Sequence, residues 1–359
     1  MSPCQFYPAF VAIGSVLTAG HAAAEEFPAV TADFTAKLQY ENGFGPDRAK
    51  PQSDFLFTDL EGGFSLDLSE RLSIESVVLF EMVNDPLTGE DSTFEDHGLF
   101  TEELILAYHG GSWSAFTGKF NTAFGTGWDL GAGIWGVDFA EDYEVTEKIG
   151  FGGSKTFSGR DAGQHTLYGS LYRADRSVLS ESLFNDRGRL RLDGGGTTNT
   201  KDPESYTLSL TGENVLAIDG LGYHIAYRSH AHGDTDFNTI REDGFVSAVF
   251  GTFALNGMDV NAMAEGAFIR NAEGTFEDLS YVTLGGTAYF AESWNIALSA
   301  TFRTTHLPGG GNANDHRFQA TTGYEFESGV TFDLGYRYSR EDSANDHVLG
   351  FQMVYTFSL

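Results

Sequence analysis

Charged side chains recur at alternate positions of segments that are otherwise rich in apolar residues. Most of the acidic ones come early in the chain and the basic ones late. Opposite charges that face each other across water set up a field that attracts ions and orients dipolar solutes. We therefore predict a polar passage with an acidic and a basic wall; the alternative is that these charges only hydrate a wide aqueous interior. The predicted wall residues are Glu75, Glu81, Glu103, Lys119, Arg228, Arg303, Arg317 and Arg337.

The segment 121–142 combines tryptophans and acids with five glycines. Two tryptophans in one polar connection indicate that it packs against a surface, and glycines permit tight turns. We predict that this segment folds inward and narrows the passage, with its tryptophans on the wall and its acids facing the solute. The alternative is an external cap or a contact with a neighbouring subunit. The residues in question are Trp128, Asp129, Trp135, Asp138, Glu141 and Asp142.

Nucleophilic catalysis needs a hydroxyl beside a base, and the strand segments offer histidines and serines. His165 and His224 are candidate bases, and Ser205, Ser209 and Ser299 are candidate neighbours. No spacing singles out one pair. We therefore predict no enzyme and no catalytic residue, and a barrel enzyme such as a phospholipase remains an alternative.

Histidines and carboxylates in the predicted external loops could bind cations. His230 and His232 flank Ala231, and Asp234 and Asp236 follow. Imidazole and carboxylate suit transition metals, but scattered solvent-facing histidines explain the pattern equally well. We predict no metal site and no cofactor, and only weak Ca²⁺ binding in loops such as 231–242 and 311–316.

The segments that carry these residues alternate strictly between apolar and polar positions. In 294–305, for example, Trp294, Ile296 and Leu298 alternate with Asn295 and Ser299. A period of two predicts β-strands with one apolar face. We count about sixteen strands, with fourteen or eighteen possible. Their expected spans are 32–42, 53–68, 71–83, 99–109, 113–120, 143–156, 164–174, 204–212, 219–229, 243–254, 258–270, 279–290, 294–305, 315–326, 329–339 and 347–358.

Strand length and loop length favour a membrane barrel over a soluble sheet. Many predicted strands have ten to fourteen residues, which suits a tilted crossing of the hydrocarbon layer. Aromatic residues gather near strand ends, as they do at membrane interfaces. Short and long connections alternate, and the long ones include 84–98, 121–142, 175–203 and 340–346. We predict a transmembrane antiparallel β-barrel with short periplasmic turns and long external loops.

Composition excludes several other classes of protein. The chain has 359 residues, and 21 Lys+Arg stand against 51 Asp+Glu, which gives a net charge of -30. Nucleic-acid binding requires many cationic groups and is therefore excluded. A single cysteine rules out an internal disulfide framework, and 44 glycines argue against a helical bundle.

Residues 1–24 differ from the rest of the chain. The apolar stretch Phe10–Leu17 precedes Ala22-Ala23-Ala24, a small-residue pattern typical of a cleavage site. The stretch is too short for a spanning helix. We predict a signal peptide that is cut after Ala24, followed by one barrel domain over 25–359.

In layout the chain resembles the Gram-negative outer-membrane porins. A local motif of porin-like channels, a Gly-basic pair followed by Phe-Gly, is similar to Thr117-Gly118-Lys119-Phe120 with Phe124-Gly125. The C-terminus differs from that of porins, because Leu359 replaces the usual terminal Phe. In porins the third long external loop narrows the lumen, and here that loop is 121–142. The resemblance implies passive, non-enzymatic diffusion of small hydrophilic solutes.

The resemblance also implies a homotrimer in contact with outer-membrane lipid and lipopolysaccharide. The excess of acids predicts a passage that leans toward cations. A solute-specific porin for an oligosaccharide, a phosphate or a metal chelate is the first alternative. A barrel enzyme and a soluble all-β binding module are the others.

Overall fold

A computed structural model describes residues 27–45, 53–84, 90–159, 162–233 and 240–359, so the predicted signal peptide lies outside the described residues. Sixteen long strands form one antiparallel sheet. They are β1 (Ala29–Phe44), β2 (Ser53–Ser69), β3 (Leu72–Met82), β4 (His97–His109), β5 (Trp113–Phe120), β6 (Lys148–Gly159), β7 (Gly163–Ala174), β8 (Ser205–Glu213), β9 (Leu221–His230), β10 (Glu242–Leu255), β11 (Met258–Arg270), β12 (Asp278–Phe290), β13 (Trp294–His306), β14 (Asn312–Glu325), β15 (Val330–Glu341) and β16 (Ala344–Ser358).

The sheet closes on itself. Each long strand pairs with the next along the chain, and β1 also pairs with β16, so that Thr35 lies opposite both Glu61 and Thr356. Closure satisfies the backbone groups that an open sheet edge would expose to lipid. The predicted barrel of sixteen strands is therefore confirmed, and the counts of fourteen and eighteen are wrong.

Two of the predicted boundaries are wrong. The sixth strand begins at Lys148 and not at residue 143, because Asp138–Tyr143 forms a 3-10 helix. The expected long loop 340–346 is a two-residue turn at Asp342 and Ser343, whose φ angles are 49° and 68°. Positive φ at both central residues is typical of the tight hairpin turn whose twist matches the adjoining strands.

The outer face of the barrel is apolar and the inner face is polar. On β13, Ile296, Leu298 and Phe302 are exposed, whereas Ser299 and Thr301 point inward and are buried. An exposed apolar belt on many adjacent strands is stable only in contact with lipid. Within the described part of the chain, no helix is long and apolar enough to cross a membrane.

A β-bulge changes the phase of β4. Val77 pairs with Glu103 and Val78 with Thr101, so Glu102 is an extra residue without a partner on β3. A bulge shifts the alternation of side chains by one position. Glu102 and Glu103 are consequently both buried on the inner side, where the strict pattern predicted Glu103 alone.

The buried aromatic core lies inside the barrel and not between two layers. Phe120, Phe124, Phe139, Tyr143 and Tyr172 are at most 1% exposed and form one cluster. Three of them belong to the connection between β5 and β6, which must therefore occupy part of the interior.

Candidate functional site

The connection 121–147, here named the inner loop, crosses the interior of the barrel. Near its start the backbone N–H of Asn121 donates to Glu103 on β4 (2.7 Å). Farther along, the indole N–H of Trp135 donates to Glu41 on β1 (2.6 Å) and its backbone N–H to Gln319 on β14 (3.1 Å). The loop therefore reaches strands on both sides of the closing seam, and it extends five residues beyond the predicted 121–142.

One buried carboxylate on β11 fixes the first half of the inner loop. Glu265 accepts hydrogen bonds from the backbone N–H groups of Thr126 (2.6 Å) and Gly127 (2.9 Å) and from the Tyr143 hydroxyl (2.6 Å). It is 3% exposed. Charge-assisted bonds of this kind are stronger than neutral ones. The sequence signal for Glu265 is only an acid on the polar face of a strand, and the sequence analysis missed it.

Trp135 lies on the wall in a notch made by two glycines. Gly335 and Gly350 are cross-strand partners on β15 and β16. A Cβ atom at Gly335 would lie 3.0 Å from the ring, and one at Gly350 would overlap it. The guanidinium of Arg337 lies 5.1 Å from the ring centroid. The absence of side chains at these glycines lets the indole approach the strands.

Three arginines on β13–β15 bind the acids of the second half of the loop. Arg303 pairs with Asp142 (2.9 Å), with Asp315 (3.0 Å) and with Glu341 (2.9 Å). Arg317 pairs with Glu341 (2.9 Å) and Asp138 (3.3 Å), and Arg337 lies 3.5 Å from the same Asp138 oxygen. We name these seven residues the arginine network: Arg303, Arg317, Arg337, Asp138, Asp142, Asp315 and Glu341.

The network corrects the predicted direction of the loop acids. Asp138 and Asp142 turn toward the wall arginines and not toward the passage. The ring of Phe139 lies between Arg303 and Arg317. Its centroid is 4.5 Å from the guanidinium carbon of Arg303 and 4.2 Å from that of Arg317, so both arginines are in cation–π contact with it. Three positive charges thus face four negative ones, so the basic wall carries no surplus of positive charge.

Two predicted wall residues are buried and do not line open water. Arg228 is 4% exposed and bonds to the Tyr143 carbonyl (2.6 Å) and to Glu242 (2.8 Å). Lys119 is 1% exposed and bonds to the Thr101 carbonyl (2.6 Å) and to Glu147 (2.7 Å). Both cations lie under connections that fold inward, so each one fastens a loop.

Five further acids gather in another part of the interior, on β2–β4 and on the inner loop. We name as the acidic arc the side chains of Glu61, Glu81 and Glu102 on β2–β4, with Asp129 and Glu144 of the inner loop. Glu61, Glu81 and Glu144 each lie close enough to Glu102 for electrostatic repulsion. Among the described residues no lysine or arginine forms an ion pair with the arc; Lys37, which is close enough to attract Glu61 and Glu81, pairs with Asp59.

Burial affects the two loop members of the arc. It raises the pKa of Asp129 to about 6, and burial followed by repulsion from Glu102 raises the pKa of Glu144 to about 8. Both groups therefore titrate close to neutral pH.

The other predicted site residues lie apart from the arc. Glu75 accepts from Ser73 (2.7 Å) and contacts His109 (3.3 Å) toward the end of the barrel with the short turns. Trp128 packs against the buried aromatic cluster, and Glu141 is exposed on the inner loop.

A second inward connection was missed by the sequence analysis. Leu183 and Phe184, between β7 and β8, pair with the start of β4. Arg187 then bonds to Glu147 (2.8 Å) and lies 3.6 Å above the ring of Phe100. The composition of 175–203 does not indicate that this connection folds back into the barrel, because the contacts join residues far apart in the chain.

The candidate catalytic histidines have other partners. His224 uses Nδ1 on Thr211 (2.9 Å) and Nε2 on the backbone N–H of Gly125 (3.3 Å). His165 bonds to the Tyr223 hydroxyl (3.0 Å), and Ser205 binds the backbone N–H of Ala231. Of the metal candidates, Asp234 and Asp236 lie outside the described residues, and the described residues contain no group of three ligands that could hold a metal ion.

No protein-family model matches this chain, and no curated protein matches it by sequence. Solved structures do match in fold. The outer membrane channel DcaP of Acinetobacter baumannii has 13% identity and a TM-score of 0.58, with 92% of this chain and 96% of that chain covered. OmpT of Vibrio cholerae, an outer membrane protein in a trimer form, has 11% identity and a TM-score of 0.53, with 92% and 100% covered.

OpdK of Pseudomonas aeruginosa, solved with vanillate, has 9% identity and a TM-score of 0.55, with 92% of this chain and 99% of that chain covered. These similarities span nearly the whole barrel, and at such low identity they concern the fold. Together with the closed sheet and the apolar belt, they confirm the prediction of a barrel of the outer-membrane type. The chain is thus a sixteen-stranded β-barrel with the porin-like fold of outer-membrane channels.

Proposed function

We propose that this protein is a passive channel for small hydrophilic solutes with a preference for cations. The observation that carries the proposal is the surplus of acids over cations in both the acidic arc and the arginine network. No lysine or arginine of the described ranges pairs with the acidic arc, and the arginine network holds four carboxylates against three guanidinium groups. A narrow passage with a negative interior concentrates cations and repels anions.

The proposal revises the transverse field expected from the sequence. A field between an acidic and a basic wall requires free guanidinium groups. Here the acids of the inner loop and of β14–β15 neutralise them, so the arginine network is weakly negative. The acidic arc adds negative charge to the passage as its carboxyl groups lose their protons.

Planar-bilayer recording tests the proposal. Purified protein in a KCl gradient should give stepwise conductance, and the reversal potential should show that K⁺ permeates faster than Cl⁻. A reversal potential of the opposite sign would overturn the cation preference, and no conductance from correctly folded barrel would overturn the channel.

The remaining features of the proposal follow from the sequence analysis. We propose export through the signal peptide 1–24, insertion among outer-membrane lipid and lipopolysaccharide, and a homotrimer. The channel needs no cofactor. Intact mass of the secreted chain tests the cleavage after Ala24, and native mass in detergent tests the trimer.

An enzymatic function is not part of the proposal. The cluster of Ser73, Glu75 and His109 is the arrangement most similar to a hydrolytic site, but both contacts of His109 use Nε2 and Ser73 donates directly to Glu75. A base that activates a serine must bridge the serine and the carboxylate through its two ring nitrogens. Lipid hydrolysis by the purified barrel would contradict this conclusion.

A further inference from the structure

The acidic arc places five carboxyl groups together, and no lysine or arginine in the described part of the chain forms an ion pair with them. Like charges this close favour a bound counter-ion or protons. The nearby cations are all engaged elsewhere, because Lys37 binds Asp59, Lys119 binds Asp175 and Glu147, and Arg187 binds Glu147. Among the described residues each nearby cation already has a carboxylate partner outside the arc, so a positively charged ligand would be stabilised there.

Glu102 gives an independent indication of a missing donor. Its Oε1 accepts from the Asn121 side chain (2.9 Å), but its Oε2 is buried and has no hydrogen-bond partner. The residue is only 6% exposed, and the β-bulge of β4 turns it toward Glu61 and Glu81. A buried carboxylate oxygen without a donor is costly, so this oxygen marks a place where a ligand N–H would be stabilised.

Asp129 repeats this feature on the other side of the arc. Its Oδ1 is also buried without a hydrogen-bond partner, and it belongs to the short helical turn of the inner loop. Asp129 also lies close enough to Glu61 and Glu144 for repulsion. The arc therefore offers two unsatisfied acceptors, one on the wall and one on the loop.

The spacing of the carboxylates indicates what kind of cation fits. They come from three adjacent strands, which lie about 4.8 Å apart in a sheet, and from the loop opposite. Within the described ranges, no three potential ligands meet at a point that could hold a metal ion. Separated acceptors suit a molecule with several N–H donors better than one compact ion.

We propose that the acidic arc is a binding site for small organic dications, in which one ammonium group binds Glu102 and a second binds Asp129. The inference deepens the proposed function by naming a class of solute that the passage retains. Each protonated amine supplies three donors and a positive charge, so the two ammonium groups of a dication match the two unsatisfied oxygens.

Calorimetric titration of the detergent-solubilised barrel with 1,4-diaminobutane tests the site without requiring conduction. Butylamine, which has the same carbon chain and one ammonium group, should bind at least about tenfold more weakly, because one charge-assisted hydrogen bond and its attraction are lost. Glutarate should not bind. Equal affinity for the diamine and the monoamine would overturn the proposal.

Variants locate the site. E102Q and D129N should each weaken diamine binding about tenfold, whereas E327Q, which removes one exposed acid from a short turn, should leave binding unchanged. If E102Q fails to form a heat-modifiable barrel, D129N alone tests the site, because Asp129 lies on the inner loop and not on a strand of the barrel. Unchanged binding in a folded D129N would overturn the proposal.

Bilayer recording of the same protein separates this inference from the proposed function. Diamine added to a conducting channel should interrupt the K⁺ current in proportion to its concentration. A channel that conducts K⁺ but does not bind the diamine refutes the site alone. A barrel that binds the diamine but does not conduct refutes the channel and leaves the site supported.

Discussion

The indole ring of Trp135 lies against the backbone of Gly350, where any side chain would overlap it. The contact joins the middle of the inner loop to the last strand of the barrel, more than two hundred residues away in the chain. It is completed by the indole hydrogen bond to Glu41. The position of the loop in the interior therefore depends on Gly350, because a residue without a side chain leaves room for the indole.

Gly350→Ala should displace Trp135 from the wall. The added methyl group overlaps the ring, and relieving an overlap of this kind costs about 1–3 kcal/mol. We expect a larger single-channel conductance, because the loop loses its support, and a red-shifted tryptophan emission.

Gly63→Ala is the matched control, because it adds the same methyl group to an inner-facing strand position where the nearest neighbour of the new atom, the Asp33 carbonyl oxygen, lies 3.9 Å away. Wild-type conductance in Gly350→Ala would show that Trp135 does not hold the loop.

Glu265→Gln should loosen the start of the inner loop. The amide that replaces the carboxylate has one acceptor oxygen for the donors of Thr126, Gly127 and Tyr143, and its NH₂ group faces donors. Losing charge-assisted bonds at a buried site costs about 1–3 kcal/mol.

Denaturant unfolding in detergent and the noise of the open-channel current measure the effect of Glu265→Gln. Tyr143→Phe removes one of these bonds and should have a smaller effect of the same sign. A quiet channel of wild-type stability in Glu265→Gln would contradict the assigned role of Glu265.

Arg303→Ala should make the passage more selective for cations. The substitution leaves four carboxylates facing two guanidinium groups in the arginine network, where the wild-type protein has three. The network therefore becomes more negative. The reversal potential in a KCl gradient should move toward the K⁺ equilibrium potential, more at 0.1 M than at 1 M salt, where the screening length falls from about 10 Å to about 3 Å.

Arg340→Ala removes the same charge from an exposed position and serves as the control. Asp315→Asn should shift the reversal potential in the opposite direction. A shift of equal size in Arg340→Ala would show that the network itself is not sensed by permeating ions.

Cation selectivity should rise with pH near neutrality. Burial and repulsion from Glu102 raise the pKa of Glu144 to about 8, so this carboxyl is mostly protonated at about pH 7 and becomes charged as the pH increases through 8. The extra negative charge attracts cations, so the ratio of K⁺ to Cl⁻ permeability should increase between about pH 7 and about pH 9.

Glu144→Gln should abolish the upper step of this titration, and Asp129→Asn an earlier step, because the pKa of Asp129 is raised only to about 6. Stability should change in the opposite direction, because a carboxyl whose pKa is higher in the folded state loses its stabilising contribution as the pH rises through that pKa. A flat pH profile in the wild-type protein would contradict this prediction.

The strand pattern was predictable because it depends on local information. Alternation in segments such as 294–305 identifies each strand and the side that faces lipid, since a period of two is a property of the strand itself. Most strand ends agree with the structure to within two or three residues. The exceptions lie where a turn replaced an expected loop, at Asp342, and where a short helix delayed a strand, before Lys148.

The sequence by itself determined a membrane barrel of about sixteen strands, its polar interior and the excess of acids within it, because alternation and composition are properties of neighbouring residues. Only the tertiary structure decided which charges remain free. Asp138 and Arg317 are ion-paired although they are 179 residues apart, and Glu102 points inward because of a bulge that depends on its pairing with β3. Pairing between distant residues follows from the path of the inner loop through the barrel, and that path is set by contacts such as Trp135 with Gly350 that no local pattern encodes.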